Sequence, residues 1–158
     1  MPDLSTCLWF DDRAEEAAAF YVSVFPRSEI TGVTHYGEGG RGTPGQVMTV
    51  DFVLDGRAFT ALNGGPLFTF NESISFVIDC ADQDEVDHYW SRLTEGGEES
   101  QCGWLKDRFG LSWQVVPTKA MAETLGHPDP VRAQRATQAM FGMRKLDVAA
   151  LYAAVADP

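Results

Sequence analysis

Basic residues are scarce in this sequence. Lys and Arg number 12 against 23 Asp and Glu, a formal net charge of −11. That balance argues against nucleic-acid binding through a generally basic surface and against docking on an anionic membrane. Cysteine is scarcer still: Cys7, Cys80 and Cys102 are an odd, widely spaced set without a CxxC, and do not make a disulfide framework. The histidines His35, His88 and His127 lie far apart and no HExxH is present, so a strong zinc motif is missing. No apolar run is long enough to cross a bilayer. The opening MPDLSTCLWFDD lacks the basic and apolar stretches of a secretory signal. These absences lead us to expect a cytoplasmic protein with reduced thiols and neither nucleic-acid nor membrane partners.

What is there reads as one ordinary globular domain of 158 residues, 44% hydrophobic and 22% charged. Leu4–Phe10 has strand character, and Asp11-Asp12 offers a turn and a helix cap. Ala17, Phe20, Tyr21, Val24 and Phe25 form the stripe of an amphipathic helix that Pro26 ends. Strands are expected at Glu29–Tyr36, Gln46–Leu54 and Arg57–Asn63, with a glycine-rich loop over Gly37–Gly45 and a hairpin signal at Asp55-Gly56. The order then recurs: a strand over Ser73–Asp79, a helix over Asp82–Leu93, and short strands over Glu99–Lys106 and Leu111–Val116. Asp107 is expected to hold the turn between these last two. Thr118–Asp157 reads as two or three helices broken near Gly126–Pro130, with Met140, Met143, Leu146, Leu151 and Val155 as anchors.

A shift of 68 positions carries Leu8 to Phe76, Phe10 to Ile78, Asp11 to Asp79, Tyr21 to Tyr89 and Phe25 to Leu93. One offset thus matches a strand, a turn acid and a helical stripe. The expected fold class is α+β: paired βαβββ units at 1–66 and 72–117 forming a curved, mixed, mostly antiparallel sheet with a cleft, then helices over 118–158. Strand phase turns Thr6, Leu8 and Phe10 toward the helix, and Ser5, Cys7 and Trp9 toward the cleft.

The strings CLWFDDRAEEAAAFYVSVFPRSEI (Cys7–Ile30), LNGGPLFTFNESISFVIDC (Leu62–Cys80), CGWLKDRFGLSWQVVP (Cys102–Pro117) and QRATQAMFGMRKLDVAALYAAV (Gln134–Val155) resemble the PhnB-like family. That family lies in the glyoxalase/bleomycin-resistance, or vicinal oxygen chelate, superfamily, and its members often carry the name 3-demethylubiquinone-9 3-methyltransferase. The resemblance implies a single glyoxalase-like domain over 1–158 and a homodimer. It also implies a site inside the cleft, where catalytic superfamily members hold a divalent metal on His, Glu or Gln.

The matching positions here are Cys7 (or Ser5), Asn63, Ser75 and Gln114, with Gln114 where the metal-binding Glu often stands. Neutral carbonyls and hydroxyls, without a carboxylate or imidazole, offer a divalent ion too little to offset its dehydration. The expectation is therefore no metal and no cofactor. The candidate ligand-binding residues are Cys7, Trp9, Asn63, Ser75, Cys102, Trp104 and Gln114, with Cys7 and Cys102 as candidate nucleophiles. Buried, inert thiols are the blander reading of both. His35 could lie near the cleft, but a lone histidine is more often structural. The function expected is a metal-independent small-molecule enzyme of unassigned reaction acting in a neutral aromatic cleft. The alternative is non-catalytic binding and sequestration of a small molecule. Methyl transfer is disfavoured, because the one glycine cluster sits between two candidate strands after a helix, where a methyltransferase needs it between a first parallel strand and its helix.

Overall fold

The computed structural model describes residues 3–157. The chain divides into two compact units, Met1–Phe70 and Asn71–Pro158.

The first unit runs β1 (Thr6–Phe10), α1 (Ala14–Val24), β2 (Glu29–His35), β3 (Val47–Leu54) and β4 (Arg57–Asn63). Its sheet has the order β1-β4-β3-β2, with β1 parallel to β4 and the other pairs antiparallel. The sequence AEEAAAFYVSV makes α1 a good helix former on its alanines. Ala14, Ala17 and Ala18 are fully buried and bring the helix close to the sheet, so that Tyr21 stacks on Phe52, and Phe52 on Phe59. Each of those rings, fully buried, contributes about 1.5–3 kcal/mol. Asp55 and Gly56, both at positive φ, make the β3–β4 turn that their sequence signals.

The second unit repeats this plan as β5 (Phe76–Asp79), α2 (Gln83–Thr94), β6 (Glu98–Glu99), β7 (Trp104–Lys106) and β8 (Ser112–Val116). Its order, β5-β8-β7-β6, is that of the first sheet, with β5 again parallel to β8. The strands thus fall into two four-stranded sheets of identical topology, as a duplicated βαβββ unit requires. The Asp82 carboxylate accepts from the Glu85 N–H, and the Glu85 carboxylate accepts from the Ala81 N–H, a reciprocal cap that starts α2. Val86, Trp90 and Leu93 then face the sheet.

The strand expected over Glu99–Lys106 is interrupted. Residues 100–103 form a turn in which Cys102 and Gly103 both take positive φ. A Cβ at Gly103 would stand 2.8 Å from the Val115 carbonyl oxygen, so the backbone approaches β8 too closely for any larger residue. The tail supplies the other side of this turn. Its helices are α3 (Thr118–Thr124), α4 (Pro130–Phe141) and α5 (Val148–Val155). The stretch between α4 and α5 accepts from Cys102 N–H at the Met143 carbonyl and from Gly103 N–H at the Arg144 carbonyl. Gln83 bonds both the Leu146 carbonyl and the Val148 N–H, tying α2 to the same stretch. Leu146 and Leu151 are fully buried, while Met140, Met143 and Val155 are half-buried.

Candidate functional site

Each sheet carries its helix on one face, α1 on the first and α2 on the second, and among the described residues we call the opposite face helix-free. In β1, Leu8 and Phe10 are buried toward α1, which puts Cys7 and Trp9 on the helix-free face. Register extends two rows across that face: Cys7, Thr60 and Asp51 in one, Trp9, Leu62 and Thr49 in the next. Thr60 Oγ1 donates to Asp51 Oδ1 at 2.6 Å. Cys7 is exposed at the surface, yet partial burial of its thiol, and secondarily the Asp51 carboxylate, push its pKa up. The Trp9 indole N–H donates to the Gly65 carbonyl, and its ring meets Phe68 edge-on. A Cβ at Gly64 would fall 2.4 Å from that ring, so glycine there lets the chain cross the indole.

Asn63 has a different position from the one expected. Phe59, Ala61 and Asn63 share a strand phase, and the first two are buried toward α1. Asn63 Oδ1 accepts the Ala14 N–H at 2.8 Å, and its Nδ2 donates to the Val47 carbonyl at 3.1 Å. The cap of α1 expected from Asp11-Asp12 is therefore supplied by Asn63, from 49 positions away. The reason is geometric: β1 and β4 are parallel, so the end of β4 lies beside the start of α1. Asn63 also borders a cavity of about 550 Å³ lined by Asp11, Asp12, Glu15, Tyr36 and Arg41. The Gly37–Gly45 loop forms one wall, and a Cβ at Gly42 would stand 2.3 Å from the Tyr36 ring. His35 lies exposed on edge strand β2.

In the second unit, Gln114, Trp104 and Val77 occupy one row of the helix-free face. Gln114 Nε2 donates to Ser75 Oγ at 2.8 Å. Three of the candidate residues, Ser75, Trp104 and Gln114, are thus brought together. Cys102 is not with them, because the positive-φ turn rotates it off the strand. Its thiol donates to the Met140 carbonyl at 3.6 Å, at the end of α4.

Two side chains that the sequence reasoning passed over also stand on these faces. Asp51 lies mid-strand between buried Val50 and Phe52, and that alternation alone turns it away from the helix. Ser112 pairs with Lys106 across the β7–β8 hairpin, a register that follows once Asp107–Gly110 is recognised as its loop. Asp107 is 3% exposed. Its Oδ1 accepts from the Phe109 and Leu111 N–H groups and its Oδ2 from the Trp113 indole, so it organises the turn as expected.

The metal-position residues do not fit a divalent ion. Asn63 has both ends of its amide engaged, and Gln114, whose Nε2 donates to Ser75, offers only one neutral carbonyl oxygen. Among the described residues, no three His, Cys, Asp or Glu side chains lie close enough together to hold a metal. No helix among them is long and apolar enough to cross a membrane.

Paired βαβββ units with the order 1-4-3-2, each open on one face, define the glyoxalase-type α+β fold. Within that class the chain belongs to the PhnB-like family described as 3-demethylubiquinone-9 3-methyltransferase, whose sequence profile matches residues 2–116. A solved PhnB protein from Bacillus cereus is 33% identical, with a TM-score of 0.65, and the match covers 72% of this chain and 97% of that one. Protein PA1353 from Pseudomonas aeruginosa shares the fold at 18% identity, a TM-score of 0.59, and coverage of 72% and 95%. The fosfomycin resistance protein FosX from Listeria monocytogenes aligns at 18% identity and a TM-score of 0.49, over 71% of this chain and 88% of its own. No curated protein matches the chain.

Proposed function

We propose that this protein is a small-molecule enzyme that works without a metal, with its substrate held on the second sheet's face that carries Ser75, Trp104 and Gln114, and with Cys7 and Trp9 as candidate ligand-binding residues on the corresponding face of the first. One observation carries the reading: the Gln114–Ser75 hydrogen bond beside Trp104. An amide locked to a hydroxyl leaves Gln114 Oε1 as an oriented acceptor next to an indole, the mixture of apolar wall and few fixed polar groups that small-molecule sites use. The donor set argues for metal independence, since amides and hydroxyls bind divalent ions weakly. Methyl transfer is disfavoured because the Gly37–Gly45 cluster joins the antiparallel strands β2 and β3. A nucleotide-type cofactor loop instead follows a parallel strand and opens a helix.

A second reading, sequestration of a small molecule without turnover, is favoured by the thiols. The Cys7 pKa is pushed up, away from the thiolate a nucleophile requires, and Cys102 is turned to the Met140 carbonyl, away from Trp104 and Gln114. In both readings the protein is a cytoplasmic homodimer.

A thermal-shift screen against metabolites tests the proposal, because a ligand selective for the folded state raises the melting temperature. The expected result is a hit unaffected by EDTA, and turnover of that hit separates enzyme from sequestrator. Purified protein carrying near one equivalent of Mn, Fe, Ni or Zn overturns the metal-free reading.

A further inference from the structure

Lys106 sits on the helix-free face of the second sheet between Glu98 on β6 and Ser112 on β8. Ser112 is fully buried, and its Oγ has no hydrogen-bond partner among the described residues. A buried hydroxyl left unpaired costs about 1–3 kcal/mol, so a group satisfied only on ligand binding is one explanation of its retention. Glu72, Glu98, Trp104, Lys106 and Ser112 line a cavity of about 130 Å³. That is room for roughly four waters, or for a carboxylate with a short stem. Lys106 Nζ lies 2.5 Å from Glu72 Oε1, and Glu72 stands in a turn ahead of β5 with 60% of its side chain exposed. Glu99, at the cavity edge, is already engaged, accepting from the Trp90 indole and pairing with Arg144.

We propose that Lys106 and Ser112 anchor the carboxylate of a small organic acid, and that Glu72 occupies this anion position until the ligand displaces it. The proposal rests on the small-molecule reading above and names the ligand class for that face. Two donors in the cavity have capacity to spare, the Lys106 ammonium with three N–H bonds and the Ser112 hydroxyl with no partner among the described residues, while the Glu98 carboxylate beside Lys106 is an acceptor that a bound anion must tolerate. A carboxylate takes one from each, and the ammonium contact is charge-assisted. Exchanging Glu72 for a ligand carboxylate leaves the charge beside Lys106 unchanged. It moves Glu72, already 60% exposed, fully into water, and an ion pair with so exposed a partner is worth little. The rest of the ligand extends toward Trp104 and Gln114, in the adjoining row.

The test follows the Trp104 indole N–H by NMR at constant ionic strength, titrating propionate against propionamide, its neutral isostere. Propionate is expected to shift the resonance saturably and propionamide not to. Glu72→Gln is expected to strengthen propionate binding several-fold, because the internal competitor loses its charge. Lys106→Met and Ser112→Ala are expected to weaken it about tenfold or more. Thermal melting of each variant checks that it is folded. Equal titration by the two probes, or wild-type affinity in Lys106→Met, overturns the proposal. If propionate fails while a hit from the metabolite screen shifts Trp104, the ligand class is wrong and the small-molecule reading stands. If neither shifts it, both fail.

Discussion

Asn63 Oδ1 accepts the Ala14 N–H at 2.8 Å, so the last residue of β4 caps the first turn of α1. The residue at the helix's own N-cap position, Arg13, makes no side-chain capping bond. The same amide donates to Val47 on β3, and one side chain thereby ties a helix to two strands. Asn63→Ala removes both bonds and is expected to cost about 1–3 kcal/mol, measured as a fall in the urea midpoint. Asn63→Asp keeps the cap acceptor but loses the donor to Val47, and falls between the two. A variant with unchanged midpoint would return Asn63 to the role of a free ligand-binding group.

Asp107 is a buried carboxylate whose oxygens accept from two backbone N–H groups and the Trp113 indole. Asp107→Ala strands those donors in the interior, and a loss of about 3 kcal/mol or more is expected. Asp107→Asn retains one acceptor oxygen and is expected to recover part of it. Trp113 fluorescence reports the change locally, because the indole N–H loses its charged partner in both variants.

Cys7 and Cys80 differ enough to be told apart by alkylation. Burial, then the Glu85 and Asp79 carboxylates, push the Cys80 thiol up to about 12, and it is expected to react only on unfolding. Cys7 is accessible but its pKa is raised, so its rate climbs at a higher pH than that of an ordinary thiol. The sign for stability follows from linkage. A Cys80 pKa raised above the unfolded value of 9.0 leaves stability untouched below pH 9, and stability is lost as pH rises from 9 toward about 12. Cys80→Val is expected to flatten that alkaline limb in a urea series run at successive pH values.

Leu146 is fully buried between the tail and the 102–103 turn, with its Cδ1 only 3.1 Å from where a Gly103 Cβ would stand. Leu146→Ala is expected to cost about 2–5 kcal/mol. Gly103→Ala is expected to destabilise from the other side of the same contact, through the Val115 carbonyl and a positive φ. Because the two substitutions share a contact, their effects should not add, and a double-mutant cycle measures the shortfall.

The duplication was legible because a fixed offset preserves strand phase: Phe10 and Ile78 are both buried, as their shared position demands. The helix-free placement of Cys7, Trp9, Ser75 and Gln114 followed from the same alternation. Cys102 and Asn63 escaped it for separate reasons. Cys102 was assigned to a strand that its positive φ forbids, and a single sequence gives little warning of that, since the adjoining Gly103 serves equally well in a strand edge or a turn. Asn63 depends on a contact 49 positions away, which exists only once β1 and β4 are parallel neighbours. Ser112 and Lys106 were passed over because their significance lies in a missing hydrogen bond, which periodicity does not register.

That missing bond gives the last prediction. If the Ser112 hydroxyl served the fold, Ser112→Ala would lower stability by about 1 kcal/mol, the usual worth of an internal hydrogen bond. It is fully buried and has no partner among the described residues, so its removal takes away a desolvation cost of similar size. Ser112→Ala without ligand is therefore expected to hold or raise the urea midpoint. In saturating propionate the order is expected to reverse. The wild type gains about 2.7 kcal/mol of apparent stability at a ligand concentration one hundred times Kd, and the variant, binding more weakly, gains less at the same concentration. A midpoint lowered equally with and without propionate would make Ser112 a structural residue and leave Lys106 without its second donor.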